Sequence, residues 1–168
     1  MEFALVAPVF FALTFAILEA GFFFFVNSTV TEANARAARL VRTGQAQLGG
    51  ITPQAFYNEI CNVVDALGSC DDRLTVDVDS FPDFAALAAD LSQIDCRASS
   101  DPTIAGSQFS AADYGARREI VRVRVCFLYK PVNPFIGLKL QSNADGFREM
   151  VSVSIFRNEP FGNNGGGT

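Results

Sequence analysis

The chain has 168 residues, a formal charge of −5, four cysteines and no histidine. An acidic balance excludes nucleic acid as a partner, because phosphate binding needs a basic surface. The absence of histidine removes the commonest general base and the commonest zinc ligand together.

Hydrophobic residues make up 49% of the chain, but they are unevenly spread. From Phe3 to Val26 there is a single charge, Glu19. As a helix rising ~1.5 Å per residue, this run is long enough to cross a ~30 Å hydrocarbon layer. A cleaved secretory signal is the competing reading. No basic region precedes the run, it is too long for a signal core, and the helical pattern continues beyond it, so a retained anchor is expected. Ala33-Asn34-Ala35 resembles a cleavage site in composition only. Pro8 lies in the membrane half, where it can kink or locally unwind the helix.

Past the span, Val30, Ala33, Ala37, Leu40, Val41 and Leu48 recur at helical spacing, with Glu32, Arg36, Arg39 and Arg42 on the other face. One helix from about residue 2 to about residue 48, ~70 Å long, is predicted. Gly44 loosens its last turn and Gly49-Gly50 ends it. Glu2 is either a favourable charge at a helix N-terminus or the partner of a neighbouring subunit's terminal amine. Glu19 either reaches the interface or pairs with another subunit inside the membrane.

Thr52-Pro53 opens a second helix, striped by Phe56, Ile60, Val63, Val64 and Leu67 and stopped by Gly68. Leu74, Val76 and Val78 alternate with Thr75, Asp77 and Asp79 in a half-buried strand. Phe84 to Leu91 forms a short helix. A second strand runs from Glu119 to Tyr129, with Val121, Val123, Val125, Phe127 and Tyr129 on one face and Arg122, Arg124 and Cys126 on the other. In a third strand Val151, Val153 and Ile155 point inward, alternating with Ser152 and Ser154. Pro131, Pro134 and Gly137 make the preceding connection a loop, and the tail from Gly162 to Thr168 is expected to be mobile.

The fold class is therefore α+β: a long N-terminal helix, half transmembrane and half amphipathic, packed on an antiparallel sheet of about three strands with one or two short helices. Residues 1–27 form the transmembrane segment, 28–50 its outer half, 51–161 the α+β domain and 162–168 the tail.

Cys61, Cys70, Cys96 and Cys126 include no C-x-x-C pair. An even number in a membrane-anchored chain reads as two disulfides formed in an oxidising compartment. Of three connectivities, Cys61–Cys70 with Cys96–Cys126 is preferred, because the first pair brackets a short helix-to-strand connection; buried thiols are the alternative. Asp77, Asp79 and Asp83, with Asp71 and Asp72 nearby, invite a calcium reading, but they lack the spacing and turn glycine of such a loop, so a solvated strand face is expected. Arg117, Arg118, Arg122 and Arg124 are likewise expected on an exposed sheet face, with subunit contact as their best use. No nucleophile–base pair, nucleophile elbow or phosphate-binding glycine loop can be assembled, so neither enzymatic activity nor a cofactor is expected.

Glu2-Phe3-Ala4-Leu5-Val6-Ala7-Pro8, Ile17-Leu18-Glu19-Ala20-Gly21 and Arg36-Ala37-Ala38-Arg39-Leu40-Val41-Arg42-Thr43-Gly44 resemble the N-terminal pattern of TadE-like proteins, minor pilins or pseudopilins of tight-adherence pilus systems. The close of the chain, Val151 to Ile155 followed by Arg157-Asn158-Glu159-Pro160-Phe161, resembles that family more loosely. The resemblance implies a precursor whose short basic leader is removed by a dedicated peptidase just ahead of the helix. It also implies a bacterial inner-membrane location, a periplasmic domain, and other pilin subunits and the pilus assembly machinery as partners. Arg36, Arg39 and Arg42 taken alone would place the domain in the cytoplasm; the disulfides and the resemblance place it outside. The function expected is assembly into, or priming of, the pilus through the apolar helix, with Glu2, Glu19 and Pro8 as the assembly residues. An adhesive tip module and the principal filament subunit are the alternatives.

Overall fold

The structure is a computed structural model describing residues 2–68, 70–96, 106–131 and 146–161, apart from the side chains of Glu2, Ala4, Leu5 and Asp71. Helix α1 spans Glu2–Arg42 and runs through Pro8 without a break. It ends six residues before the predicted stop, because Gly44 adopts a left-handed backbone with φ 78°. The ring of Phe161 lies against Gly44, so closely that a Cβ there would fall 2.2 Å from Phe161 Cγ. The Glu159 amide donates to the Arg42 carbonyl at 2.9 Å, so the returning chain caps the end of α1. A single turn, α2 (Gln45–Leu48), follows as a separate piece. It buries Ala46 and leaves Leu48 exposed, contrary to the predicted stripe.

Helix α3 spans Pro53–Val64, N-capped by the Thr52 side chain accepting from the Ala55 amide. It buries Phe56, Tyr57, Ile60 and Val64 against α1 and the sheet. A 3₁₀ turn, Asp65–Leu67, carries the chain to Gly68 at φ 143°, and a short α4 (Cys70–Arg73) leads into the sheet. The strands are β1 (Leu74–Phe81), β2 (Ile120–Tyr129) and β3 (Arg148–Arg157), antiparallel in that order. Helix α5 (Phe84–Ala89), N-capped by Asp83, is two residues shorter than predicted. The turn Ala111–Tyr114 opens with a Ser110/Asp113 capping box. The loop signals at Pro134 and Gly137 and the glycine-rich tail lie outside the described residues.

The outer part of α1 lies along the inner face of the sheet. Tyr129, at the end of β2, meets Glu19, while Glu159, just beyond β3, meets Arg42 at the opposite end. The helix between Glu19 and Arg42 is ~35 Å long, and a ten-residue strand is ~33 Å long, so the two match. The core combines Val26, Val30, Ala33, Ala37 and Val41 of α1 with Val121, Val123, Val125 and Phe127 of β2.

Two expectations about the sheet fail. The Arg122 and Arg124 face is not solvated: all ten positions of β2 are buried, and in β1 Thr75 and Asp77 are buried alongside Val76 and Val78. The segment from Phe84 to Cys96 lies over that outer face, tied to it by Asp90, Ser92 and Cys96. In β3 the polarity is the reverse of the prediction. Val151, Val153 and Ile155 are about half exposed on the outer face, while Ser152 points at α1 and accepts a 3.0 Å hydrogen bond from buried Asn34. The buried face of α1 is built there from Ala33, Asn34, Ala37 and Ala38. Small residues on the helix and serines on the strand allow a close approach that inward valines would prevent.

Candidate membrane anchor and assembly surface

Among the described residues, no part of the domain packs beside the first half of α1. Phe3 is 82% exposed, and Val9, Phe10, Leu13, Ile17 and Leu18 are also largely uncovered. Thr14 donates its hydroxyl to the Phe10 carbonyl at 2.9 Å, so it adds no unsatisfied polar group to this surface. Among the described residues this is the one helix long and apolar enough to cross a membrane. Pro8 sits exposed within it. The backbone of Glu2 begins the helix; its side chain lies outside the described residues.

Glu19 ends the free half. It is 8% exposed and accepts a hydrogen bond from the Tyr129 hydroxyl at 2.6 Å. The rings of Phe22 and Phe23 flank Tyr129 at 5.8 and 6.3 Å. A carboxyl group in an apolar run is costly unless it is hydrogen-bonded, and here the folded domain of the same chain supplies a donor. Nothing in the sequence linked Glu19 to a tyrosine 110 residues away.

The outer face of the sheet carries a charge network in place of the solvated polar face expected there. Register places Asp77 opposite Arg124 and Asp79 opposite Arg122. Arg124 bonds Asp77, reaches Asp79 at 3.0 Å and donates to the Ser92 carbonyl at 2.7 Å. Arg122 bonds Asp79 at 2.6 Å and Asp90 at 2.5 Å, and lies over the Phe81 ring at 5.1 Å. Both arginines and Asp77 are buried. Burial is the main influence on Asp77 and raises its pKa above 3.8, with Arg124 opposing. Asp90 is held down at about 2, first by the Ser92 amide, then by the Ser92 hydroxyl and Arg122. Burial alone would lower the Arg122 pKa, but its bonds to Asp79 and Asp90 raise it. These carboxylates are therefore engaged by arginines, and Asp83 by the N-terminus of α5, which leaves no calcium cage among them. Arg117 and Arg118 are exposed, but in a turn ahead of β2 and not on the sheet face expected for them. The missed signal was the alternation itself: two acids in β1 and two bases in β2 repeat at the same period of two.

Two disulfides join Cys61 to Cys70 and Cys96 to Cys126, with Cα separations of 5.7 and 5.6 Å. Asp65 lies close to the first pair, but disulfide sulfurs are not thiolate ligands, so that cluster offers no metal site in this state. Beyond the sheet, buried Asn158 donates to the carbonyls of Tyr114 and Ala116, both at 3.0 Å. Gln47 donates to Tyr114 O at 2.8 Å. Together these bonds fasten the end of β3 to α2 and to the 3₁₀ turn. Burial pushes the Tyr114 hydroxyl up to about 12.

The fold defines an α+β protein with one long helix, apolar and exposed over its first half and roofed over its second by a disulfide-bonded sheet domain. The N-terminal segment is TadE-like, since the family model described as TadE-like protein matches residues 1–39. That match supports a TadE-like protein associated with the tight-adherence pilus. It ends within the buried part of α1 and does not reach the C-terminal residues Arg157 to Phe161. No curated protein and no solved structure matches the chain.

Proposed function

We propose that this protein is a membrane-anchored, pilin-like subunit that assembles into, or primes, a tight-adherence pilus through the free half of α1. The observation that carries this reading is the bare apolar surface from Phe3 to Leu18 on a helix whose next turns are buried under its own domain. A soluble protein would not leave so large an apolar face uncovered. Lipid covers it while the subunit waits in the inner membrane; the helices of other pilin subunits cover it in the filament. Ala7, Ala12 and Ala16 are small enough for close helix approach. The disulfides favour a periplasmic domain. Glu2 sets axial register by pairing with a neighbour, and Pro8 and Glu19 complete the set of assembly residues.

The test is a cell in which Glu2→Ala replaces the native gene. Membrane insertion is expected to be normal and pilus number to fall; normal pilus numbers would remove the register role. Deleting the gene separates assembly from adhesion. Loss of filaments supports the assembly reading, whereas intact filaments that no longer attach would replace it with a tip adhesin.

A further inference from the structure

The free part of α1 leaves its domain at Glu19, where Tyr129 holds the end of the sheet to the helix. A helix that enters the bilayer from that point brings this end of the domain to the membrane boundary. That end of the domain is not featureless. Tyr129 pairs with Arg148 in the ladder, and next to them the ring of Phe147 lies between two cations, 5.6 Å from Arg73 and 5.9 Å from Lys130. In a chain with a charge of −5, Arg73 and Lys130 flank one aromatic ring at the end of the domain from which the free helix leaves, and Arg148 stands opposite Tyr129 at the same end of the ladder.

We infer that this end of the domain is a lipid-binding surface. Arg73, Lys130 and Arg148 take the phosphates of anionic phospholipids in the leaflet facing the domain, and Phe147 sits at headgroup depth. Arginine and lysine beside an aromatic ring suit that layer, where one side is apolar and the other is wet and negatively charged. Asp72 and Glu149 share this end, so the recognition is of headgroup phosphate at fixed depth, with a partial preference for anionic lipid. The inference rests on the membrane-anchor reading proposed above, and its test separates the two.

The chain contains no tryptophan, so one introduced tryptophan reports its own depth. The full chain, carrying Phe10→Trp, Phe147→Trp, Asp72→Trp or Leu48→Trp, is reconstituted into phosphatidylcholine vesicles with or without phosphatidylglycerol. The lipid chains are brominated either near the headgroup or near the chain end. Phe10→Trp is expected to lose its emission to deep bromines. Phe147→Trp and Asp72→Trp are expected to lose theirs to shallow bromines, more so with phosphatidylglycerol present. Leu48→Trp, at the far end of the domain, is expected to be unaffected. The two basal reporters guard against misfolding of either one. Deep quenching of Phe10→Trp with no shallow quenching of both basal reporters would leave the anchor standing and overturn the inference. Equal shallow quenching with and without phosphatidylglycerol would overturn the anionic-headgroup assignment. An unquenched Phe10→Trp would overturn the anchor itself.

Discussion

Tyr129 donates its hydroxyl hydrogen to Glu19 across 110 residues of chain, at 2.6 Å. This contact joins the last residue of the central strand to the point where α1 emerges from its domain. It sets how much helix is left bare. A hydrogen bond to a carboxyl group in a buried site is strongly missed when one partner goes.

Tyr129→Phe removes the donor and leaves Glu19 buried. The domain in detergent micelles is expected to lose about 2 kcal/mol of stability. Amide exchange should accelerate first in the turn of α1 around Glu19 to Val26. Glu19→Gln, whose carbonyl still accepts from Tyr129, should lose less. Equal losses from both variants would show that the shared hydrogen bond is not what secures the sheet to the helix.

The Asp77–Arg124 pair leads to the second prediction. Asp77→Ala leaves Arg124 buried with part of its charge unanswered, so a loss of roughly 3–5 kcal/mol is expected in denaturant unfolding of the full chain. Replacing both partners, Asp77→Leu with Arg124→Met, removes the buried charge as well as its partner and should recover much of that loss. A double variant as unstable as Asp77→Ala would mean that the network is held for reasons other than charge pairing.

How far these contacts could be read from the chain differs element by element. Helix α1 was legible because a long run with a single charge, followed by a 3.6-residue pattern, has few other solutions. Its end was less so: Gly44 looked like one glycine in a helix until Phe161 returned to lie on it. Strand β2 was placed within a residue, yet its arginine face was assigned to water because a strand's period shows which residues share a face and not what covers that face. The cover comes from Phe84 to Cys96, where the ties to the sheet lie in the irregular stretch after α5. In β3 the same rule pointed the wrong way, since valines alternating with serines ordinarily turn the valines inward. The small, partly polar face of α1 reversed that preference. The Glu19–Tyr129 contact had no local signal, because it depends on the length of the sheet matching the length of the buried helix.

Acid titration should distinguish the two acids of the network. The folded pKa of Asp90 lies at about 2, below its ordinary 3.8. Its contribution is therefore complete above pH 3.8 and is lost as the pH falls through about 2. Asp77 behaves in the opposite sense: its folded pKa is raised above 3.8 by burial, so its contribution is largest at low pH and declines as the pH rises through the folded value. Unfolding measured from acid to neutral pH should show Asp90→Asn flattening the acid limb and Asp77→Asn removing a decline on the other side. Changes on the same limb in both variants would contradict the opposed shifts.

Gly44 offers the last test because two separate constraints meet there. Its φ of 78° is a conformation in which an L side chain costs roughly 1–2 kcal/mol. The Phe161 ring occupies the place a side chain would take, with Cγ, Cδ1 and Cβ 2.2 to 2.6 Å from where an alanine Cβ would stand. Gly44→Ala should therefore destabilise the domain by more than the backbone term alone. The loss should be greatest at the cap, where the Glu159 amide bonds the Arg42 carbonyl. Phe161→Ala by itself should cost packing but leave the turn intact. In the double variant the steric part disappears while the backbone part stays, so the two changes should cost less together than the sum of each alone. Strict additivity in thermal unfolding would mean that the ring and the glycine act independently, and that α1 stops at Arg42 through backbone preference alone.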